Sequence, residues 1–486
     1  TVVDNTVGVS YTSTGATVTI SGNVAQYLTP AVSGAHVSIA QSSDLAQEIT
    51  YTLSGSSSDG EFYMSGSYKA TVELNGLTLT NQTPVYSGAA VHIQNGKRIK
   101  VKVITGTTNT LVDAASGSQK GCLYIKGHAE FAQKGTLNVV GNVKHAIKSG
   151  EYIQLKNATL NVTQAVGDGI SCNQYFLMES GTVNISGTAD DGLQVDLDGT
   201  ESTGELPDHE DEDSGNIYIS GGPLTVNCAA IAAKAIKSAG DITITGGTIS
   251  CTTTGDGTWD TDDLETKAAA GISADGNITI EGGVITLKAT GSGGKGMKCD
   301  GTLIVNDGTI KAETTGGLYY NNGTTENKNY TGDTDRVNSS YYSSPKAIKA
   351  GLKKQSGTSY TYSGGIVING GNITVTTDAN NGEGIESKNT LVINGGDAIC
   401  IAEEGPAGSA AAGAAGELRI TELIINPMLT EYSMEIDAEI ASRLADHFGA
   451  SRLQYRTPGE EYCQTMISAE AYGMEGIPPY YGFPID

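Results

Sequence analysis

Four lysines recur at equivalent places in this chain, each one residue past an aliphatic centre: Lys148, Lys237, Lys298 and Lys349. They lie in the pentapeptides His145-Ala-Ile-Lys-Ser149, Lys234-Ala-Ile-Lys-Ser238, Lys295-Gly-Met-Lys-Cys299 and Lys346-Ala-Ile-Lys-Ala350. Sister copies read Asp168-Gly-Ile-Ser-Cys172 and Glu383-Gly-Ile-Glu-Ser387, with looser ones at 191–195 and 270–274. Side chains alternate along a strand, so where the aliphatic centre points inward its polar neighbour points outward. Stacking the copies aligns Lys148, Ser171, Gln194, Lys237, Ser273, Lys298, Lys349 and Glu386 in one surface column. Ammonium groups in such a column suit the carboxylates of an acidic sugar chain. They equally suit charge compensation of acids one coil away, such as Asp168 or Glu386.

Two acid-rich stretches offer a second chemistry. Asp168, Asp190, Asp191, Asp196 and Asp198 crowd one corner of adjacent coils, and Asp256, Asp260, Asp262, Asp263 and Glu265 crowd a loop. Calcium takes six to eight oxygen ligands, which clustered carboxylates beside Gly turns supply. The segment Asp196-x-Asp198-Gly199 is similar to part of a calcium loop but lacks the rest of that frame, and a solvated acidic loop is the competing reading. Trp259, the only tryptophan, lies in the second acidic stretch, and Tyr319, Tyr320, Tyr330, Tyr341 and Tyr342 follow in 316–344. Such rings stack on sugar faces or fold back to pin a loop; the sequence leaves both open.

The elements that must position these residues follow from spacing. The aliphatic centres Leu123, Ile147, Ile170, Leu193, Ile236, Ile272, Met297, Ile348 and Ile385 are separated by 24, 23, 23, 43, 36, 25, 51 and 37 residues. A unit repeated at 23–25 residues, each copy leading into a second strand-like run often closed by Gly-Gly, predicts an all-β solenoid, a parallel β-helix with loops inserted at its corners. The insertions are 196–214, 255–267 and 316–344. The expected organisation is an N-terminal β cap over 1–60, the β-helix over 61–400, an Ala/Gly linker over 401–416 and a tail over 417–486. In the tail Ser433 can cap one helix that buries Ile436, Ile440, Leu444 and Phe448 and stops at Gly449.

Composition narrows the partners. Fifty-four Asp plus Glu against 29 Lys plus Arg, net −25, argues against nucleic acid. No apolar run is long enough for a membrane helix. The seven cysteines form no CxxC and read as small packing residues rather than a metal cluster or disulfides. The chain starts at Thr1 rather than Met, which fits either removal of a signal or a trimmed sequence; a secreted or cell-surface protein is the expectation.

Catalysis asks for more than these residues offer. On β-helical folds, lyases use calcium-binding acids with an Arg or Lys base, and hydrolases use paired aspartates with a nearby histidine. Residues 1–400 hold only Arg98 and Arg336, and only His209 lies beside an acid run. A lysine base is what remains, so a calcium-dependent lyase is the minority reading.

The stretch from about Glu48 to Gly396 resembles the bacterial secreted carbohydrate-binding domain-containing proteins. The resemblance rests on Tyr68-Lys-Ala-Thr-Val-Glu-Leu-Asn-Gly76, Gly167-Asp-Gly-Ile170, Asp190-Asp-Gly-Leu193, Thr258-Trp-Asp-Thr-Asp-Asp-Leu-Glu-Thr-Lys267, Gly294-Lys-Gly-Met-Lys-Cys-Asp-Gly301 and Gly382-Glu-Gly-Ile-Glu-Ser387. It implies a right-handed parallel β-helix of pectate-lyase-like shape, binding of polygalacturonate-like acidic polysaccharide, and calcium in acidic turns, with no established catalysis. On that basis Asp168, Asp190 and Asp191 become the first calcium candidates, ahead of Asp196, Asp198, Asp260, Asp262 and Asp263. Further Asp-rich coils expected after Gly396 are replaced by the linker and tail. A third role is structural: an open solenoid end exposes unpaired backbone groups, so copies can associate end to end as a fibre or adhesin stalk.

Overall fold

Runs of four to seven residues with alternating aliphatic and polar side chains, punctuated by Gly, Asn and Asp, can bury one face only by stacking on a copy of themselves. That is the architecture of the computed structural model. It describes residues 4–197, 214–332, 334, 337–356, 359–377, 382–394 and 396–402, with three short strands in the tail. The chain divides into two compact units, Thr1–Cys251 and Thr252–Asp486.

In the first unit each regular coil contributes three strands. In one coil these are His145–Ser149, Ile153–Leu155 and Thr159–Ala165. Each pairs in parallel with its counterpart in the following coil, Ile170–Cys172, Tyr175–Met178 and Thr182–Thr188. Three parallel faces result, called first, second and third in chain order. The aliphatic centres stack in register, Leu123 on Ile147, Ile170, Leu193 and Ile236, all buried. Ile153, Phe176, Ile217 and Ile242 do the same on the second face, and Leu137, Leu160, Val183 and Leu224 on the third. Each such side chain contributes about 1.5–3 kcal/mol by burial. Outside the core, Asn161 donates to Asn138 and Asn184 to Asn161, both at 2.9 Å, a polar ladder that fixes the same register.

The second unit repeats the plan. Ile272, Met297, Ile348 and Ile385 stack on its first face, while Ile278, Leu303, Ile366 and Leu391 stack on its second. Its insertions fold as small antiparallel pairs: Thr258–Asp260 with Glu265–Lys267, Tyr319–Asn321 with Glu326–Asn327 and Tyr342–Ser343, and Leu352–Ser356 with Ser359–Ser363.

Parallel pairing starts earlier than the residue 61 expected from sequence. Thr6–Thr12 already lies along Ile49–Ser57, and Ala35–Gln41 along Gly60–Ser65. Hairpins Thr6–Thr12/Gly15–Ile20 and Leu28–Ser33/Ala35–Gln41 close that end. The coil centred on Val37 was read as part of the cap because that centre is not preceded by the repeated charged-residue-plus-Gly/Ala pair. Cys122, Cys172, Cys228, Cys251 and Cys299 are free and buried, as packing residues should be. Burial pushes the Cys172 thiol up to about 12 and that of Cys228 up to about 11. The helix expected at 433–449 lies outside the described residues; three short antiparallel strands, Leu453–Tyr455, Cys463–Thr465 and Gly482–Pro484, are what the tail shows. Among the described residues no helix is long and apolar enough to cross a membrane.

Candidate functional site

The pentapeptide is not a plain strand, and its departure builds the site. In the coil opened by Asp168, the consecutive amides of Gly169 and Ile170 both donate to the next coil, to Asp191 O and Gly192 O. Regular strands send alternate amides to opposite sides, so the chain bends here and two successive side chains turn inward. A Cβ on Gly169 would stand 2.5 Å from Ile185 Cγ2, and one on Gly192 2.3 Å from Val226 Cγ1, both core residues. The motif's second position therefore takes a small residue, and only Gly where the coil packs as closely as at Gly169 and Gly192. The bend leaves its first and fourth residues on the same outward side. Lys237 Nζ lies 3.4 Å from Asp191 Oδ2, and Lys346 Nζ lies 2.9 Å from Glu386 Oε2, each pair joining the two rows across neighbouring coils.

The fourth-position row is aligned as expected: Tyr124, Lys148, Ser171, Gln194 and Lys237 in the first unit, and Ser273, Lys298, Lys349 and Glu386 in the second. It is less exposed than a surface column should be. Lys148 is 7% exposed, its ammonium donating to Ser171 Oγ at 3.1 Å and Asn173 Oδ1 at 2.5 Å. Lys148 thus lies over its coil neighbour Ser171 instead of standing out into solvent.

In the first unit the first-position row brings His145, Asp168, Asp191 and Lys234 together. Among the described residues this corner holds the one group of three carboxylates, Asp168, Asp190 and Asp191, with oxygens within 4.8 Å of one another. Asp168 Oδ1 accepts the Asp191 amide at 3.2 Å, and Asp191 Oδ1 accepts the Lys234 amide at 2.6 Å. His145 Nδ1 lies 3.1 Å from Asp168 Oδ2, a neighbour that sequence reading missed because the two residues are one coil apart. Loss of solvation raises the pKa of both Asp190 and Asp191, and the Asp168 charge raises Asp190 further, although Lys237 and Lys234 act against it. The donor set of the three carboxylates is all hard oxygen, which fits a hard divalent cation. Asp196 accepts from its neighbour Gln194 instead of joining the cluster, and Asp198 lies outside the described residues.

The second acid stretch does not converge. Asp260 Oδ1 accepts the amides of Asp262 and Asp263 at 2.8 and 3.1 Å, and Lys267 pairs with Asp263 at 2.9 Å and with Glu265. These carboxylates serve their own hairpin turn, so Asp260, Asp262 and Asp263 are not gathered as a metal group among the described residues. Trp259 is half-buried, edge-on to Tyr341 with centroids 5.8 Å apart and packed at Gly323. It pins one insertion against another rather than standing free for a sugar.

In the second unit, lysines fill both rows of adjacent coils. Lys295, fully enclosed, donates to Gly293 O at 2.7 Å, Ser343 Oγ at 2.5 Å and Ser344 O at 3.2 Å, which fastens the end of the third insertion. Burial works against the charge of Lys346, but Glu383 and Glu386 more than offset it and its pKa rises. Lys298 and Lys349 differ: among the described residues neither ammonium has an ion-pair or hydrogen-bond partner. Burial pushes the Lys349 amine down to about 8, with Lys388, Lys298 and Lys346 adding to the effect and Glu386 opposing it.

Sequence reading also missed the start of the row in the first unit. Tyr63, His92 and Tyr124 precede Lys148 in register, with ring centroids 4.7 and 5.0 Å apart, and Tyr86 stacks on Tyr63 at 5.1 Å. Extending the fourth-position row back from Lys148 would have found them.

Residues 33–323 match the family model described as carbohydrate-binding domain-containing protein. The chain belongs to that family. Among solved structures it is similar to the polysaccharide lyase-like protein from C. thermocellum, in a gadolinium derivative. The identity is 18% and the TM-score 0.40, with 62% of this chain and 96% of that chain covered. No curated protein matches.

Proposed function

We propose that this carbohydrate-binding protein is a secreted, non-catalytic binder of acidic polysaccharide of the polygalacturonate type, assisted by calcium. The observation that carries the reading is the pair Lys298 and Lys349, in-register cations on neighbouring coils that have no ion-pair or hydrogen-bond partner among the described residues. An unpaired, half-buried ammonium is costly unless a ligand supplies the counter-charge. Uronate carboxylates supply it, and adjacent coils repeat at about 4.8 Å, close to the length of one sugar ring. Lys148 and Lys237 lie in the equivalent row of the first unit but are engaged by Ser171, Asn173 and Asp191, so they contribute less. Asp168, Asp190 and Asp191 would hold the calcium, which supplies positive charge where a net charge of −25 otherwise repels a polyanion.

Retention of the full chain on a pectate gel, with and without chelator, tests this. Retention that weakens with chelator and with Lys298→Ala/Lys349→Ala supports it; migration unaffected by any acidic glycan refutes it. Polygalacturonate incubated with the protein and calcium should yield neither ultraviolet-absorbing unsaturated uronate nor new reducing ends.

A further inference from the structure

Beyond the matched residues, the corner after Lys346–Ala350 carries a hairpin. Leu352–Ser356 and Ser359–Ser363 pair antiparallel, with Lys353 opposite Tyr362, and among the described residues neither strand pairs with another. A lone two-stranded hairpin gains little stability in water. This one nevertheless displays aromatic area: Tyr360 is 47% exposed and Tyr362 half-buried. Cross-strand pairing and period-two alternation put Lys353, Tyr360 and Tyr362 on one face. Lys353 Nζ stands 4.3 Å from the Tyr360 ring centroid and 5.8 Å from that of Tyr362.

The hairpin's root is fixed. The chain leaves through Gly351 and returns through Gly364, with φ of +89° and +75°. A Cβ on Gly364 would lie 2.2 Å from Gly301 O and 2.9 Å from Gly351 Cα, so only glycine lets these backbones meet. Lys353 stands four positions after Lys349, a reach of at most about 14 Å.

We propose that this hairpin is a stacking arm of the polysaccharide site. A uronate residue of the chain held by Lys298 and Lys349 lays its ring on Tyr360 and Tyr362 and its carboxylate on Lys353. The inference rests on the acidic-polysaccharide reading above. A uronate is the ligand that uses the whole face: its C–H-rich ring covers the aromatics and its carboxylate meets the cation. In the free protein Lys353 occupies the Tyr360 ring, a cation–π contact; binding exchanges it for an ion pair and frees the ring.

The test is calorimetric titration of the full chain with fully de-esterified oligogalacturonate and with a neutral oligosaccharide of equal length. Tyr360→Ala/Tyr362→Ala should weaken uronate binding about tenfold with an unchanged melting temperature, because the hairpin packs no core. Lys353→Ala should weaken uronate binding without affecting any neutral-sugar binding. If the unaltered chain binds uronate, Lys298→Ala/Lys349→Ala weakens it and the hairpin variants do not, the arm is overturned and the function reading stands. If the unaltered chain binds no uronate, both fall.

Discussion

If Lys349 must be charged to hold a carboxylate, binding carries the signature of its displaced titration. Burial brings its amine from the ordinary 10.5 down to about 8. A ligand that accepts only the protonated form loses affinity by the factor 1 + 10^(pH − pKa), which is about 1.1 at pH 7 and about 30 at pH 9.5. An undisturbed lysine, titrating near 10.4, would give a factor of only about 1.1 at pH 9.5. The sign is distinctive. Binding is nearly full at about pH 7 and is lost as pH rises through about 8, whereas the folded state itself gains stability from this group between about 8 and 10.5, where the folded chain holds fewer protons than the unfolded one. Loss of binding therefore cannot be mistaken for unfolding. Calorimetric titration of de-esterified oligogalacturonate between pH 6.5 and 9.5, with melting curves alongside, reads both. Lys349→Arg, which stays charged throughout, should flatten the profile. A flat profile in the unaltered protein, or a midpoint near 10.4, would refute the reasoning.

Three further outcomes follow from the same geometry. Gly192→Ala drives a Cβ to 2.3 Å from Val226 Cγ1 and 2.5 Å from Ala235 O, and should cost about 1–3 kcal/mol in denaturant melts; Gly96→Ala, with nothing within 4 Å, should not. Calcium at a hundred times its dissociation constant should add about 2.7 kcal/mol of stability, reversed by chelator and reduced in Asp190→Asn. Because Asp190 and Asp191 have raised pKa values, the calcium effect should fade as the solution is acidified toward their titration; a melting temperature indifferent to calcium at neutral pH would remove the ion. Lys346→Met leaves Glu383 and Glu386 without their shared cation and should cost about 3–5 kcal/mol at pH 7. The folded-state pKa of Glu386 is depressed, burial opposing and Lys346, Lys388 and Lys349 prevailing. The stability that ionised Glu386 contributes is present above the ordinary glutamate range and lost as pH falls, so the mutant's deficit should shrink in acid.

The coil, its period and its core were legible because Ile147, Ile170 and Ile236 sit in a frame of small and charged residues that repeats. The first coil was not, because Val37 fills the same core position in a different local sequence. Acid spacing was the least reliable sign. Asp260, Asp262 and Asp263 look like ligands in sequence, yet the same spacing makes an aspartate turn in which one carboxylate accepts two amides. Asp168 and Asp191, 23 residues apart, meet because one coil is 23 residues long.

The bend in the pentapeptide explains why alternation alone misjudged the lysines. Alternation put the fourth residue outward correctly, but it gave no hint that the first residue shares that side. Once both rows share one side, the fate of each lysine depends on whether a neighbouring coil offers it an acid from either row. Lys237 meets Asp191 and Lys346 meets Glu383 and Glu386, so their charges are spent within the protein. Lys298 has lysines on the adjoining coil at both positions, Lys346 and Lys349, so its charge stays available. Replacing the acid should therefore release the cation: Glu383→Gln should strengthen uronate binding by leaving Lys346 with Glu386 alone, and unchanged affinity would mean that the rows do not compete for the same charges.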